Sequence, residues 1–322
     1  MGERESIVQM ARYRVIVNPV SGRGAGERAI PQIESLLGGH GLDFDLVRTE
    51  RPWHAADLAE EACRSGYDVV VAAGGDGTAN EVLNGLMRAR QAGAGPGVAM
   101  GVLCVGRGND FAFGVGVPKD LVAGCRALAQ GQRRTIDVGR AVGGLYPQGR
   151  YFGNGAGIGF DAVVGFEALK MTRLHGFASY IVAVLKVIFL YYRAPRVAID
   201  IDGQTLSQPS LMISVMNGRR MGGGFMMAPQ GRPDDGLFDL CIAGQVSRAR
   251  MFALIPRFMN GTQATQKCIA TARARRIVVR ALEGALPAHL DGETLCTEAR
   301  ELTLELVPQQ VEIVYEAQGV GA

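Results

Sequence analysis
Short apolar runs, separated by glycine-rich loops and amphipathic stretches, set the pattern of the first 140 or so residues. Arg14–Asn18, Asp43–Thr49, Val69–Val71 and Val98–Cys104 read as strands, and runs this continuously apolar predict parallel strands buried on both faces. Helical patterns fall between them, near Glu27–Leu37, near His54–Ser65 and directly after the glycines that follow Val71. Regular alternation of strand, loop and helix predicts an open, mainly parallel α/β sheet. Ligands of such sheets bind outside the carboxyl ends of the strands. That places three loops on one edge: Asn18–Gly26, Gly74–Thr78 and Val105–Asp110.

Beyond Ile136 the pattern changes to alternating segments, RVAIDID, SLMISVMNG, RIVVRA and ELTLELV, which predict a mainly antiparallel, β-sandwich-like second domain. We divide the chain into 1–139 and 140–322, with the boundary between Asp137 and Gly144. Helices near Ser247–Met259 and over Phe177–Tyr192 interrupt the second domain, and the final VEIVYEA segment is expected to pack back on the first. Asp-Gly between apolar residues, in Ala198–Leu206 and again in Ala288–Leu295, signals two tight hairpins. Only the second carries two carboxylates, Asp291 and Glu293, and a carboxylate on a rigid hairpin can act as a general base toward a hydroxyl.

Composition narrows the class. With 48% apolar and 20% charged residues the chain reads as globular, and its 45 glycines are dispersed through turns, which excludes a collagen-like repeat. A net charge of +3 does not call for nucleic acid. Clustered arginines, such as Arg133/Arg134, Arg219/Arg220 and Arg275/Arg276, would each add about 1 kcal/mol at an anionic membrane surface. Six cysteines without a C-x-x-C pair read as reduced thiols of a cytoplasmic protein. Met1–Gln9 lacks the apolar stretch of a secretory signal, and MGERES fits the loose myristoylation pattern only as short patterns do by chance. Phe177–Tyr192 is shorter than the roughly 20 residues of a bilayer span and contains Lys186, so a buried or surface-lying helix is expected.

The candidate chemistry starts at Val69–Met87, VVVAAGGDGTANEVLNGLM. Glycines let the backbone bring N–H groups close to a ligand, and a helix N-terminus behind them favours negative charge, so the stretch reads as a phosphate cradle. Asp76 would repel phosphate unless a divalent cation lies between them. The same residues also read as a plain turn, with Thr78 and Glu81 forming a T-x-x-E capping box. PDDGLFDL, with Asp234, Asp235 and Asp239, reads either as an exposed acidic turn or as a hard-cation site.

Taken together, NPVSGRG (Asn18–Gly24), GGDGTANE, GRGNDFA, IDVG, GNGAGIGFDA, PDDGLFDL and LDGE resemble, in order and over nearly the whole chain, the diacylglycerol kinase catalytic-domain family, especially its soluble bacterial lipid kinases. The resemblance implies ATP between the two domains, held by Asn18, Pro19, Val20, Ser21, Gly22, Thr49, Gly75, Asp76, Gly77, Thr78, Ala79, Asn80, Glu81, Asn109 and Asp110. Arg107, in the same loop, stands where the family often has threonine, so it either adds a phosphate contact or crowds the pocket. The resemblance further implies that Glu293 deprotonates a lipid hydroxyl, with Asp76 and Asp291 organising a catalytic Mg²⁺. It implies a structural Mg²⁺ at Asp235 with the carbonyls of Arg232 and Leu237, and a supporting role for Asp137. The expected function is an ATP- and Mg²⁺-dependent kinase of diacylglycerol or a related lipid, meeting its substrate at the inner membrane surface without a transmembrane segment, and compatible with a homodimer. An NAD kinase-like small-molecule kinase and a non-catalytic lipid- or nucleotide-binding regulator are the alternatives.

Overall fold
The computed structural model describes residues 11–171, 177–190 and 194–316, so the MGERES start and the last two residues of the Phe177–Tyr192 run lie outside it. In chain order the elements are β1 (Arg12–Val17), α1 (Ser21–Gly39), β2 (Asp43–Arg48), α2 (His54–Arg64), β3 (Val69–Gly74), α3 (Asp76–Gln91), β4 (Ala99–Cys104), α4 (Asp110–Gly114) and α5 (Leu121–Gln130). There follow β5 (Arg133–Gly143), β6 (Tyr146–Phe152), β7 (Gly155–Gly159), α6 (Phe160–Leu169), α7 (Phe177–Leu190), β8 (Arg196–Ile201), β9 (Gln204–Met216) and β10 (Phe238–Gly244). The chain closes with α8 (Arg248–Met259), β11 (Ile269–Ala274), β12 (Arg276–Ala281), β13 (Leu286–Leu290), β14 (Glu293–Ala299) and β15 (Glu301–Val314).

The first half is an α/β layer with parallel strands in the order β2-β1-β3-β4. β3 is buried along its whole length because both faces are covered. On one face α1 and α5 set Ile30, Ile33, Leu37, Cys125 and Leu128 against the sheet; on the other α2 and α3 contribute Ala55, Ala59, Val82, Leu83 and Leu86. α2 and α3 approach closely because Gly85 faces the Ala56 carbonyl, where a Cβ would stand 2.2 Å from that oxygen.

The second half is an antiparallel, β-rich sandwich. β10 alternates in the way two covered faces require: Phe238, Leu240 and Ile242 enter the core between the sheets, while Cys241 and Ala243 face a layer formed by α6, α7 and α8. Both Asp-Gly pairs form hairpin turns, with Asp202 and Asp291 at φ 48° ahead of their glycines. β15 joins the halves. It pairs with β5 along both parts of its length, with β12 through its first part, and with β4 in parallel at Ile313–Met100. Gln309, at φ 50°, lies at the register shift between Val307 and Val311 where the strand passes from one half to the other.

Candidate active site
Three loops converge at the carboxyl ends of β1, β3 and β4. The β1 and β3 ends are tied by the Asn18 N–H, which donates to the Ala73 carbonyl at 3.0 Å, and the Val105 and Gly106 N–H groups donate to the Gly74 carbonyl at 3.1 and 2.9 Å. Glycine is required for this approach: a Cβ on Gly106 would lie 2.3 Å from the Gly75 Cα, and one on Gly22 would lie 2.6 Å from the Val105 carbonyl oxygen. Gly22, Arg23 and Gly24 all have positive φ, so the helical course of α1 is broken there into a loop over the cleft edge. Asn18 reaches across to donate from Nδ2 to the Thr78 hydroxyl at 3.0 Å. Thr49 closes the far side, its N–H donating to the Val17 carbonyl, and Val20 is exposed.

Thr78 and Glu81 do not form the expected capping box. α3 begins three residues earlier, with Gly75 in place of Thr78 as its N-cap and no side chain capping it. The first-turn N–H groups of Gly75–Thr78 therefore retain the electropositive end of a 16-residue helix. Glu81 instead caps a neighbour, accepting the Ala55 N–H of α2 at 3.1 Å.

Over this helix start hangs the β13–β14 hairpin. Glu293 is exposed, and its Oε1 lies 2.9 Å from where a Gly77 Cβ would stand, so the carboxylate rests against the first turn of α3. Asp291 is buried and fully engaged. Its Oδ1 accepts from the Asn154 and Gly155 N–H groups at 3.0 and 2.9 Å, and its Oδ2 accepts from the Gly153 N–H at 2.8 Å and Asn80 Nδ2 at 2.9 Å. Asn80 in turn accepts from the buried Arg150 guanidinium at 2.6 and 3.1 Å, which stacks over Trp53 and Tyr146. Asp291 thus clamps the hairpin to α3 and to the β6–β7 turn. Asp137 performs a parallel task elsewhere, accepting the Gly236 and Gln309 N–H groups at 2.7 and 2.8 Å.

Asp76 lies on the cleft floor, accepting the Phe111 N–H at 2.9 Å. Burial, then the charges of Asp110 and Asp291, push its carboxyl up to about 7. Asp110 is likewise raised by burial, against the Gly223 N–H at 2.9 Å and Arg220 Nε at 2.7 Å. A Cβ on Gly108 would lie 2.8 Å from Asp76 Oδ2 and 3.7 Å from Asp110 Oδ2, so the two carboxylates face the same point. Crowded, desolvated carboxylates beside a helix N-terminus suit a divalent ion, and Asp76 is the residue that would hold it there. At the Asp235 turn the carboxylate already has a side-chain cation beside it. Asp235 is ion-paired with Arg273, which also reaches Asp239, and it accepts the Leu237 N–H at 3.2 Å; exposed Arg232 pairs with Asp234. Among the described residues no group of three or more His, Cys, Asp or Glu side chains is placed to hold a metal ion.

Two cavities lie on either side of Tyr180. The first is a cleft of about 280 Å³ between the loops and α6, lined by Asp76, Arg107, Asp110, Asn154, His289 and Asp291 among others. The second, of about 70 Å³, is almost wholly apolar and lies between α6, α7, α8 and the sheet. Tyr180 lines both. Between them stand groups that the motifs did not single out by role. Asp161 accepts from the Ser214 hydroxyl at 3.0 Å, and burial raises it to about 7. His289, lowered to about 4 by burial, accepts the Gly292 N–H at Nδ1, while its Nε2 and the Asn154 Oδ1 have no protein partner among the described residues. The aspartate inside the apolar GIGFDA run was the available signal for Asp161; nothing local marked Arg150, Arg220 or His289.

An α/β domain whose glycine loops and helix start face a carboxylate hairpin from a β-sandwich defines a two-domain phosphotransferase class. Residues 12–141 match the diacylglycerol kinase catalytic domain, and residues 155–315 match the YegS C-terminal NAD kinase β-sandwich-like domain. The chain belongs to this bacterial diacylglycerol kinase family, and is a phosphotransferase with an alcohol acceptor. It is 29% identical over 286 residues to a Bacillus subtilis (strain 168) diacylglycerol kinase, covering 88% of this chain and 90% of that one. A diacylglycerol kinase crystal structure from Bacillus anthracis (strain Sterne) shares the fold, with a TM-score of 0.71, 20% identity and coverage of 96% and 98%. A yeast NADH kinase bound to NADH shares the fold more distantly, with a TM-score of 0.50, 9% identity and coverage of 96% and 84%. Among the described residues no helix is long and apolar enough to cross a membrane.

Proposed function
We propose that this enzyme transfers the γ-phosphoryl group of ATP to the hydroxyl of diacylglycerol or a closely related lipid presented at a membrane surface. The observation that carries the reading is the Tyr180 wall shared by a polar, carboxylate-bearing cleft and an apolar cavity. A molecule with one reactive hydroxyl and long acyl chains matches that pair, whereas the polar ends of a dinucleotide would find few partners in the apolar half. The nucleotide phosphates lie against the N–H groups of Gly75–Thr78, with Asn18 holding Thr78 and exposed Arg107 supplying positive charge from the opposite loop. A Mg²⁺ ion on Asp76 would neutralise charge on the transferring group. Glu293 takes the acceptor proton as the oxygen attacks, and Asp291 holds the hairpin so that Glu293 stays over the helix start.

The test is transfer of label from [γ-³²P]ATP to a panel of dioleoylglycerol, sphingosine, phosphatidylglycerol and NAD. Label in dioleoylglycerol with none in NAD is expected. Label in NAD alone would replace this reading with a dinucleotide kinase, and ATP binding without any transfer would leave a regulator with the same fold.

A further inference from the structure
The helices that wall the apolar cavity have a second face. Val184 and Ile188 of α7, with Leu254 and Phe258 of α8, turn inward to the cavity. Leu185, Phe189 and Leu190 of α7, with Phe252 and Met259 of α8, turn outward and are 37–65% exposed. The two helices meet on this side: the Phe189 and Phe252 rings stand 6.0 Å apart, and the Arg248 guanidinium lies 5.7 Å over Phe189. Neither helix contains an aspartate or glutamate, and together they carry Lys186, Arg248, Arg250 and Arg257. The neighbouring acid of α6, Glu167, is paired with Lys170 and Lys186.

We propose that the outer face of α7 and α8 seats on an anionic lipid bilayer, delivering acyl chains to the cavity that the same two helices enclose. This rests on the lipid-acceptor reading and says where the membrane touches. Exposed aromatic and aliphatic side chains with a guanidinium laid over them, on helices that carry cations and no acid of their own, match an interface between acyl chains and anionic headgroups. A second copy of this chain would bring cationic face to cationic face, which opposes self-pairing.

The experiment is co-sedimentation of the full chain with dioleoylphosphatidylcholine vesicles, with and without roughly one-third dioleoylphosphatidylglycerol, at low and high salt. Wild type is expected to partition onto the anionic vesicles and to be released by salt. Arg248→Glu, which reverses the charge over the Phe189 ring, is expected to lower partitioning at least about fivefold, since one basic residue near the surface contributes about 1 kcal/mol. The double variant Phe189→Glu/Phe252→Glu is expected to abolish it, while both variants phosphorylate water-dispersed dihexanoylglycerol as wild type does. Equal vesicle binding by wild type and variants overturns the proposal. So does loss of activity on dihexanoylglycerol with normal melting, or a wild-type dimer that these substitutions dissociate. If no lipid is labelled in any arm, the kinase reading fails, and vesicle partitioning still decides the docking face.

Discussion

Removing the Asp291 carboxylate should unfasten the two halves of the molecule. Its two oxygens accept four hydrogen bonds of 2.8–3.0 Å, three from consecutive backbone N–H groups and one from Asn80 of α3. Each donor left buried and unpaired costs about 1–3 kcal/mol. Water entering the vacated space recovers part of this, as does relief from burying a carboxylate whose pKa burial has raised. The expected loss for Asp291→Ala is therefore about 3–5 kcal/mol. Asp291→Asn keeps one oxygen but turns an amide N–H₂ toward two of the donors, and is expected to cost about 2 kcal/mol. Urea unfolding of the metal-free protein reads this as a lower midpoint at unchanged slope. If Asp291→Ala unfolds within about 0.5 kcal/mol of wild type without Mg²⁺ but loses Mg²⁺-dependent stabilisation, Asp291 is a metal ligand and the clamp is refuted.

Three further outcomes follow from the same geometry. Native Asp161, raised to about 7 by burial, keeps a proton that the unfolded chain has lost, so stability falls as pH rises from about 4 to about 7, by up to about 1.4 kcal/mol per pH unit. Asp161→Asn removes that slope, so its unfolding free energy relative to wild type should rise between about pH 5 and about pH 7; parallel profiles would contradict it. Gly77→Ala places a Cβ 2.9 Å from Glu293 Oε1 at the solvent-facing helix start, so kcat should fall by about tenfold to a hundredfold with Tm unchanged. Gly85→Ala meets the Ala56 backbone oxygen, which cannot turn away, and should cost about 1–3 kcal/mol in unfolding measurements with activity per folded molecule retained.

Much of the architecture was legible because local pattern and tertiary burial agree. Val69–Val71 is apolar on every residue and is buried on both faces, and each Asp-Gly pair sits at a hairpin. The capping box failed for a physical reason: Gly75 accepts the extended cap geometry and Asp76 and Gly77 continue as helix, so the helix begins before the residues that scored as its signal. The full length of β15 was hidden because Pro308–Gln310 breaks the alternation, and only pairing with β5 on both sides of the shift makes it one strand. Site residues inside motifs were nameable, yet what they touch was not. That Asp291 is engaged by four donors, that Arg220 neutralises Asp110, and that Arg273 occupies Asp235 depend on segments more than 30 residues apart, which no local spacing encodes.

The central claim is that an exposed glutamate on a clamped hairpin transfers a phosphoryl group from a nucleotide on the α3 start to a lipid hydroxyl. Its most direct test is the initial rate of label transfer from [γ-³²P]ATP to dioleoylglycerol by wild type and by Glu293→Gln, with ATP binding and unfolding midpoint measured on both. The account predicts labelled phosphatidate from wild type, a loss of at least about a hundredfold in Glu293→Gln, and unchanged ATP affinity and stability. Full turnover by Glu293→Gln would contradict it.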